Sequence, residues 1–128
     1  MTENVNQKYD LEERLLEYSV RIMKLVESLP PTLAGRHIAN QLLRSGTSPY
    51  PNHGEAQAAE SPKDFTHKLR ISLKELRESF RWIRLIQRSE MIGKPSQLDN
   101  LLEETEELIK IFVTSVKTSE KRTIRKNK

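Results

Sequence analysis

An all-α fold, an antiparallel up-down four-helix bundle, is predicted by three features of this 128-residue chain. Apolar residues recur at alternating steps of three and four in four separate segments, the spacing that gathers them on one face of an α-helix. No stretch alternates apolar and polar residues for long enough to make a half-buried strand. The segments are joined by short connections containing Pro, Gly or Ser, which bring consecutive helices together antiparallel.

The first helix carries Leu11, Leu15, Tyr18, Ile22, Leu25 and Leu29. It is expected from about Asp10, an N-cap residue type, to Ser28, with residues 1–9 a flexible N-terminus and Pro30 and Pro31 ending it. Thr32 caps a second helix containing Ile38, Ala39, Leu42 and Leu43, which then meets the stretch "RSGTSPYPNHGEAQAAES" from Arg44 to Ser61. Pro49 in a continuous helix removes one backbone hydrogen bond and crowds the carbonyl of Ser45, at a cost of roughly 3 kcal/mol. The hydroxyls of Ser45, Thr47 and Ser48 stand where they can bond the freed carbonyls, and Asn52 followed by Glu55 is an N-cap signature for a restart. The second helix is therefore expected to be kinked or broken near 46–51. Ser61, Pro62 and Asp64 open a third helix, with Phe65, Leu69, Leu73, Leu76, Phe80 and Ile83 inward, running to about Ser89. Gly93 and Pro95 punctuate, Ser96 caps, and Leu98, Leu101, Leu102, Leu108, Ile109, Phe112 and Val116 line a fourth. The bundle domain spans 10–117, and 118–128, which lacks apolar periodicity, is expected to be a basic disordered tail.

Composition narrows the function classes. Hydrophobic content of 35% against 31% charged residues suits helices that each bury one narrow stripe. The absence of cysteine removes disulfides, thiolate metal sites and thiol nucleophiles. His37, His53 and His67 lie on separate segments, and the paired Glu-x-x-His elements of a bundle di-iron site are missing, Asp64 to His67 being an approach without a twin. A His53 and Glu55 acid–base pair has only proximity in sequence behind it. No catalytic residue, metal site, cofactor or small-molecule substrate is expected. The polar N-terminus "MTENVNQKYDLEER" has no apolar signal region and no run approaches a membrane span, so the expectation is a cytoplasmic protein without membrane contact.

The segment from Leu29 to Ile86 carries two distinctive elements, "QLLRSGTS" with Asn52 and Glu55 after it, and Lys74, Glu75, Leu76, Glu78 and Trp82. With these the chain resembles the four helix bundle protein family, whose members include proteins encoded in intervening sequences of bacterial large-subunit ribosomal RNA genes. The resemblance implies a left-handed bundle assembling as a homopentamer, no enzymatic activity, and a nucleic-acid role. Pro51 and His53 depart from the family pattern and bear on the continuity of the second helix.

Charge is distributed unevenly. The net +4 is accounted for by the end segment "KTSEKRTIRKNK", in which six Lys or Arg face one Glu. On the third helix Lys63, Arg70, Lys74, Arg77, Arg81, Arg84 and Arg88 share one arc, with His67 in the gap and Glu78 the nearest acid. At about 1.5 Å per residue the stripe extends nearly 40 Å. Like charges in such a row repel unless a polyanion or a partner compensates them. Arg70, Lys74, Arg77, Arg81, Arg84 and Arg88, with Lys121, Arg122, Arg125 and Lys126 of the tail, are the candidate nucleic-acid contacts, RNA or DNA. The competing expectation is a protein-binding adaptor or scaffold. There the basic third helix meets the acidic fourth, with Asp99, Glu103, Glu104, Glu106 and Glu107, on the next subunit, a heterologous and ring-forming contact.

Glu75 shares an azimuth with Trp82 and Ile86 inside an apolar arc, so it needs a paired partner. Arg44 is the candidate partner. With Asn52, Glu55 and Glu78 the two make a polar cluster that either fixes the kink or lines a site. If the pair is buried, Glu75→Ala is expected to destabilise by around 3 kcal/mol.

Overall fold

The computed structural model describes residues 3–126, with side chains described for 11–125. The fold is all-helical: α1 (Glu3–Glu27), α2 (Leu33–Thr47), α3 (Pro49–Gln57), α4 (Pro62–Arg88), a 3₁₀ turn (Pro95–Leu98) and α5 (Asp99–Lys126). No strand forms among the described residues. The pair α2 and α3 is the kinked second helix, so the chain makes a four-helix bundle.

Side-chain contacts define its four seams. Tyr18 meets Thr105 and Arg21 meets Asn100 between α1 and α5; Ile22 lies against Gly46 between α1 and α2. Ser45 meets Ser79 and His37 meets Trp82 between α2 and α4, while Thr66 meets Ser119 and Gln87 meets Asp99 between α4 and α5. Wherever a seam has two such contacts, residue numbers rise on one helix as they fall on the other, which is antiparallel packing. The core they enclose is aliphatic, with Leu15, Ile22, Leu42, Leu76, Ile83, Ile86 and Leu108 fully buried around Tyr18 and Phe112.

Local chemistry sets the ends. The Thr32 hydroxyl accepts from the Gly35 N–H at 3.1 Å and Ser61 accepts from the Asp64 N–H at 3.1 Å, both as the sequence predicts. Three boundaries differ. Helix α1 already begins at Glu3, so Asp10 lies inside it rather than capping it. Ser96 falls within the 3₁₀ turn, and α5 starts at Asp99. The break in the second helix is confined to Ser48, because Pro49 and Pro51 sit in the first turn of α3, where a missing N–H costs nothing. Asn52 is consequently past the restart, and its amide donates to the Ser48 carbonyl at 2.9 Å instead of capping. The hydroxyls of Thr47 and Ser48 bond the carbonyls of Leu43 and Arg44, both at 2.6 Å, rather than those freed by the prolines.

The expected disordered tail is instead the end of α5, helical through Lys126. Ser119 is buried, its hydroxyl bonding Thr66 of α4, and Glu120 pairs with Arg70 at 2.9 Å. Ser119 and Thr123 continue the core-facing period of Thr105, Leu108, Phe112 and Val116, a continuation invisible when only apolar residues are counted.

Candidate nucleic-acid interface

The stripe on α4 exists because the core face uses up one side of the helix. Leu69, Ser72, Leu73, Leu76, Ser79, Ile83 and Ile86 are buried, and the opposite side is left to Lys63, His67, Arg70, Lys74, Arg77, Arg81, Arg84 and Arg88, all exposed. Arg70 is tied to Glu120, and the Arg84 guanidinium donates to the Gln87 amide oxygen at 3.1 Å. Lys63, Lys74, Arg77, Arg81, Arg84 and Arg88 form no ion pair among the described residues.

Helix α5 runs beside α4 with its charges sorted along its length. Its last turns bring exposed Lys117, Lys121, Arg122 and Arg125 next to the N-terminal half of α4, through the contacts at Ser119 and Glu120. Between these half-helices runs a shallow groove lined by Arg70, Leu73, Lys74, Arg77 and Val116. Its first turns carry exposed Asp99, Glu103, Glu106 and Glu107 and lie by the C-terminal half of α4, where Gln87 bonds Asp99 at 2.8 Å. The stripe is thereby divided. Residues 63–70 lie by the basic end of α5, while Arg81, Arg84 and Arg88 lie nearer its acidic start. The Lys126 side chain is outside the described residues.

The predicted polar cluster is partly assembled. Arg44 donates to Glu75 at 2.7 Å and to Glu78, and it also reaches Gln41 at 3.3 Å. Glu78 accepts a second bond, from the Trp82 indole N–H at 3.1 Å, and His37 packs edge-on against that ring at 5.9 Å. Asn52 and Glu55 do not join. Asn52 is turned to Ser48, and Glu55 pairs with Lys68 at 3.0 Å, its carboxylate raising the lysine's pKa. Gln41, Trp82 and His37 were missing from the cluster read in sequence, although Trp82 stands one turn after Glu78, a legible signal.

A family model described as 23S rRNA-intervening sequence protein matches residues 7–114. The chain belongs to that family. A crystal structure similar to this member of the 23S rRNA-intervening sequence protein family is that of a protein of unknown function from the S23 ribosomal protein family of Bacteroides thetaiotaomicron. It is 34% identical, with a TM-score of 0.77, and the match covers 84% of this chain and 98% of that one. The comparison with curated proteins returns no match. The basic end of α5 lies past residue 114, beyond the family match. No helix of the described residues is long and apolar enough to cross a membrane, and no group of three His, Cys, Asp or Glu among them could hold a metal ion.

Proposed function

We propose that this family member is a non-enzymatic, ring-forming helical bundle, cytoplasmic and most simply pentameric, that binds RNA electrostatically. The phosphate backbone is held by the outer face of α4 together with the basic end of α5. The observation that carries this reading is the docking of α5 on α4 at Thr66–Ser119 and Arg70–Glu120, which merges two separate basic segments into one surface. Phosphate binding of this kind needs several exposed cations without internal acids, and Lys63, Lys74 and Arg77 fit that description. The family's name refers to 23S rRNA, which supports RNA over DNA.

A second reading, an adaptor that uses its surfaces for protein contact, is favoured by exposed apolar side chains, Leu16, Met23, Leu33, Leu43 and Leu85. One titration separates the two. Salt-dependent binding of a labelled RNA is expected, with a log–log slope that falls by about one for each cation removed. The tail has to be cut after Glu120 so that Ser119 and its buried contact remain. Loss of Lys121 to Lys128 should weaken binding and leave it measurable, and adding Arg77→Gln, Arg81→Gln and Arg84→Gln should abolish it with the assembly intact. If the assembly falls apart instead, the stripe is an interface and the adaptor reading replaces this one.

A further inference from the structure

The cations of α4 form two parallel rows. Arg70, Arg77 and Arg84 recur every seven residues on the edge toward α5, and Lys74, Arg81 and Arg88 recur every seven on the other. At about 100° per residue the rows stand roughly 60° apart, and positions within a row lie about 10 Å apart along the helix. Two rows match two phosphate strands facing each other across a groove; a lone strand offers one.

The surroundings restrict which groove. Helix α4 is hemmed in by α2 through Arg44–Glu75 and by α5 through Arg70–Glu120, so it presents only its outer arc, about 100° wide by the same geometry. A helix flanked on both sides in this way protrudes less than a free one, which disfavours a deep groove. The major groove of B-DNA is about 8.5 Å deep, its minor groove is only about 6 Å wide, and the A-form major groove is deep and narrow. A low convex face fits the wide, shallow minor groove of A-form RNA.

Single-strand binding has a different requirement, aromatic platforms on which bases stack. Among the described residues the one aromatic ring on this face is that of His67, a single platform where successive bases need several. Trp82 is engaged by Glu78 and His37 on the α2 side, and Phe65 and Phe80 are half-buried against the core.

We infer that the ligand of the α4 face is double-stranded RNA, its two backbones gripped across the minor groove by the Arg77–Arg84 and Lys74–Arg81 rows. The inference rests on the nucleic-acid reading above, and its failure is separable from it. The test measures binding of the full chain, at a low and a high salt concentration common to all ligands, to an RNA duplex of about 24 base pairs, to the DNA duplex of the same sequence, and to an unstructured oligouridine of equal phosphate number. The RNA duplex is expected to bind at least about tenfold more tightly than either competitor. Lys74→Gln with Arg81→Gln, and separately Arg77→Gln with Arg84→Gln, should each weaken duplex RNA binding, since neither pair makes an ion pair among the described residues. Equal or tighter binding of oligouridine or duplex DNA overturns the duplex RNA assignment and leaves the electrostatic reading standing. Loss of affinity from only one of the two variants overturns the two-row grip. Absence of salt-sensitive binding to all three overturns both.

Discussion

At Arg44 one guanidinium bridges two carboxylates across the α2–α4 seam, and the second of these also holds the Trp82 indole. The energetic weight of this group follows from its exposure. The Glu75 side chain is 13% exposed but that of Arg44 is 48% exposed, so water screens the cation from one side and removing its partner strands no buried charge. Glu75→Ala should therefore cost about 1 kcal/mol, well under the 3 kcal/mol or so expected of a buried pair. Urea unfolding with an unchanged m-value measures this directly, and a loss near 3 kcal/mol would mean that Arg44 is buried by a second copy of the chain. Glu90 is the other unusual residue, a non-glycine at φ 57° just after α4, where the Met91 N–H closes back on the Ile86 carbonyl at 3.3 Å. That is the left-handed position of an ordinary helix end, so its strain has a structural origin.

Two features at the scale of elements hold the helices in register. Helices α1 and α2 meet where Gly46 lies against Ile22, and a Cβ there would come within 2.7 Å of two Ile22 side-chain carbons. Ile22 is β-branched and fully buried, with no rotamer to escape into, so Gly46→Ala should destabilise by about 2 kcal/mol or force the seam apart. Thermal unfolding reads that change, and a gain in stability would show that the seam has slack. The second feature is a chain of buried hydroxyls. Tyr18 of α1 bonds Thr105 of α5 at 2.8 Å and interacts with Ser79 of α4, which in turn donates to Ser45 of α2 at 2.8 Å. All four arms of the bundle share it. Burial pushes the Tyr18 phenol up from 10.0 to about 12, an effect that its hydrogen bonds to Thr105 and Ser79 only partly offset. The proton is thus held more tightly in the folded state. This contribution to stability is fully present below pH 10 and is lost between about pH 10 and 12, by roughly 2–3 kcal/mol in all. Tyr18→Phe should remove that portion of the alkaline stability loss while costing about 1 kcal/mol at neutral pH. Denaturant midpoints across pH 8–12 for both proteins make the comparison, and identical alkaline slopes would reject it.

Over the whole molecule, the antiparallel arrangement of α4 and α5 turns two charge-sorted helices into a polarised body. One end is doubly basic, and at the other the acids of α5 sit by Arg84 and Arg88. The acidic outer face of Asp99, Glu103, Glu106 and Glu107 is exposed in the subunit and is a natural partner for cations of a neighbouring copy. Light scattering at micromolar concentration should accordingly report a closed assembly near five subunits; a monomer would leave the ring without support.

The sequence by itself determined the helices, the two hydroxyl caps, the kink near Ser48 and the gathering of cations in one arc of α4, because each depends on residues within one or two turns of each other. Arg44 as the partner of Glu75 was also legible, since an acid in an apolar arc demands a cation and few are near. What only the tertiary structure decided is which helix lies beside which, and at what register. That choice put Glu55 on Lys68 and paired Glu120 with Arg70. It also converted an apparently unstructured basic end into the last turns of α5. Ser119 and Thr123 have too little apolar surface to signal a helix in isolation, yet Ser119 suffices once Thr66 stands opposite to satisfy its hydroxyl. Periodicity is a property of one segment, whereas a polar contact between helices exists only when both partners are in place.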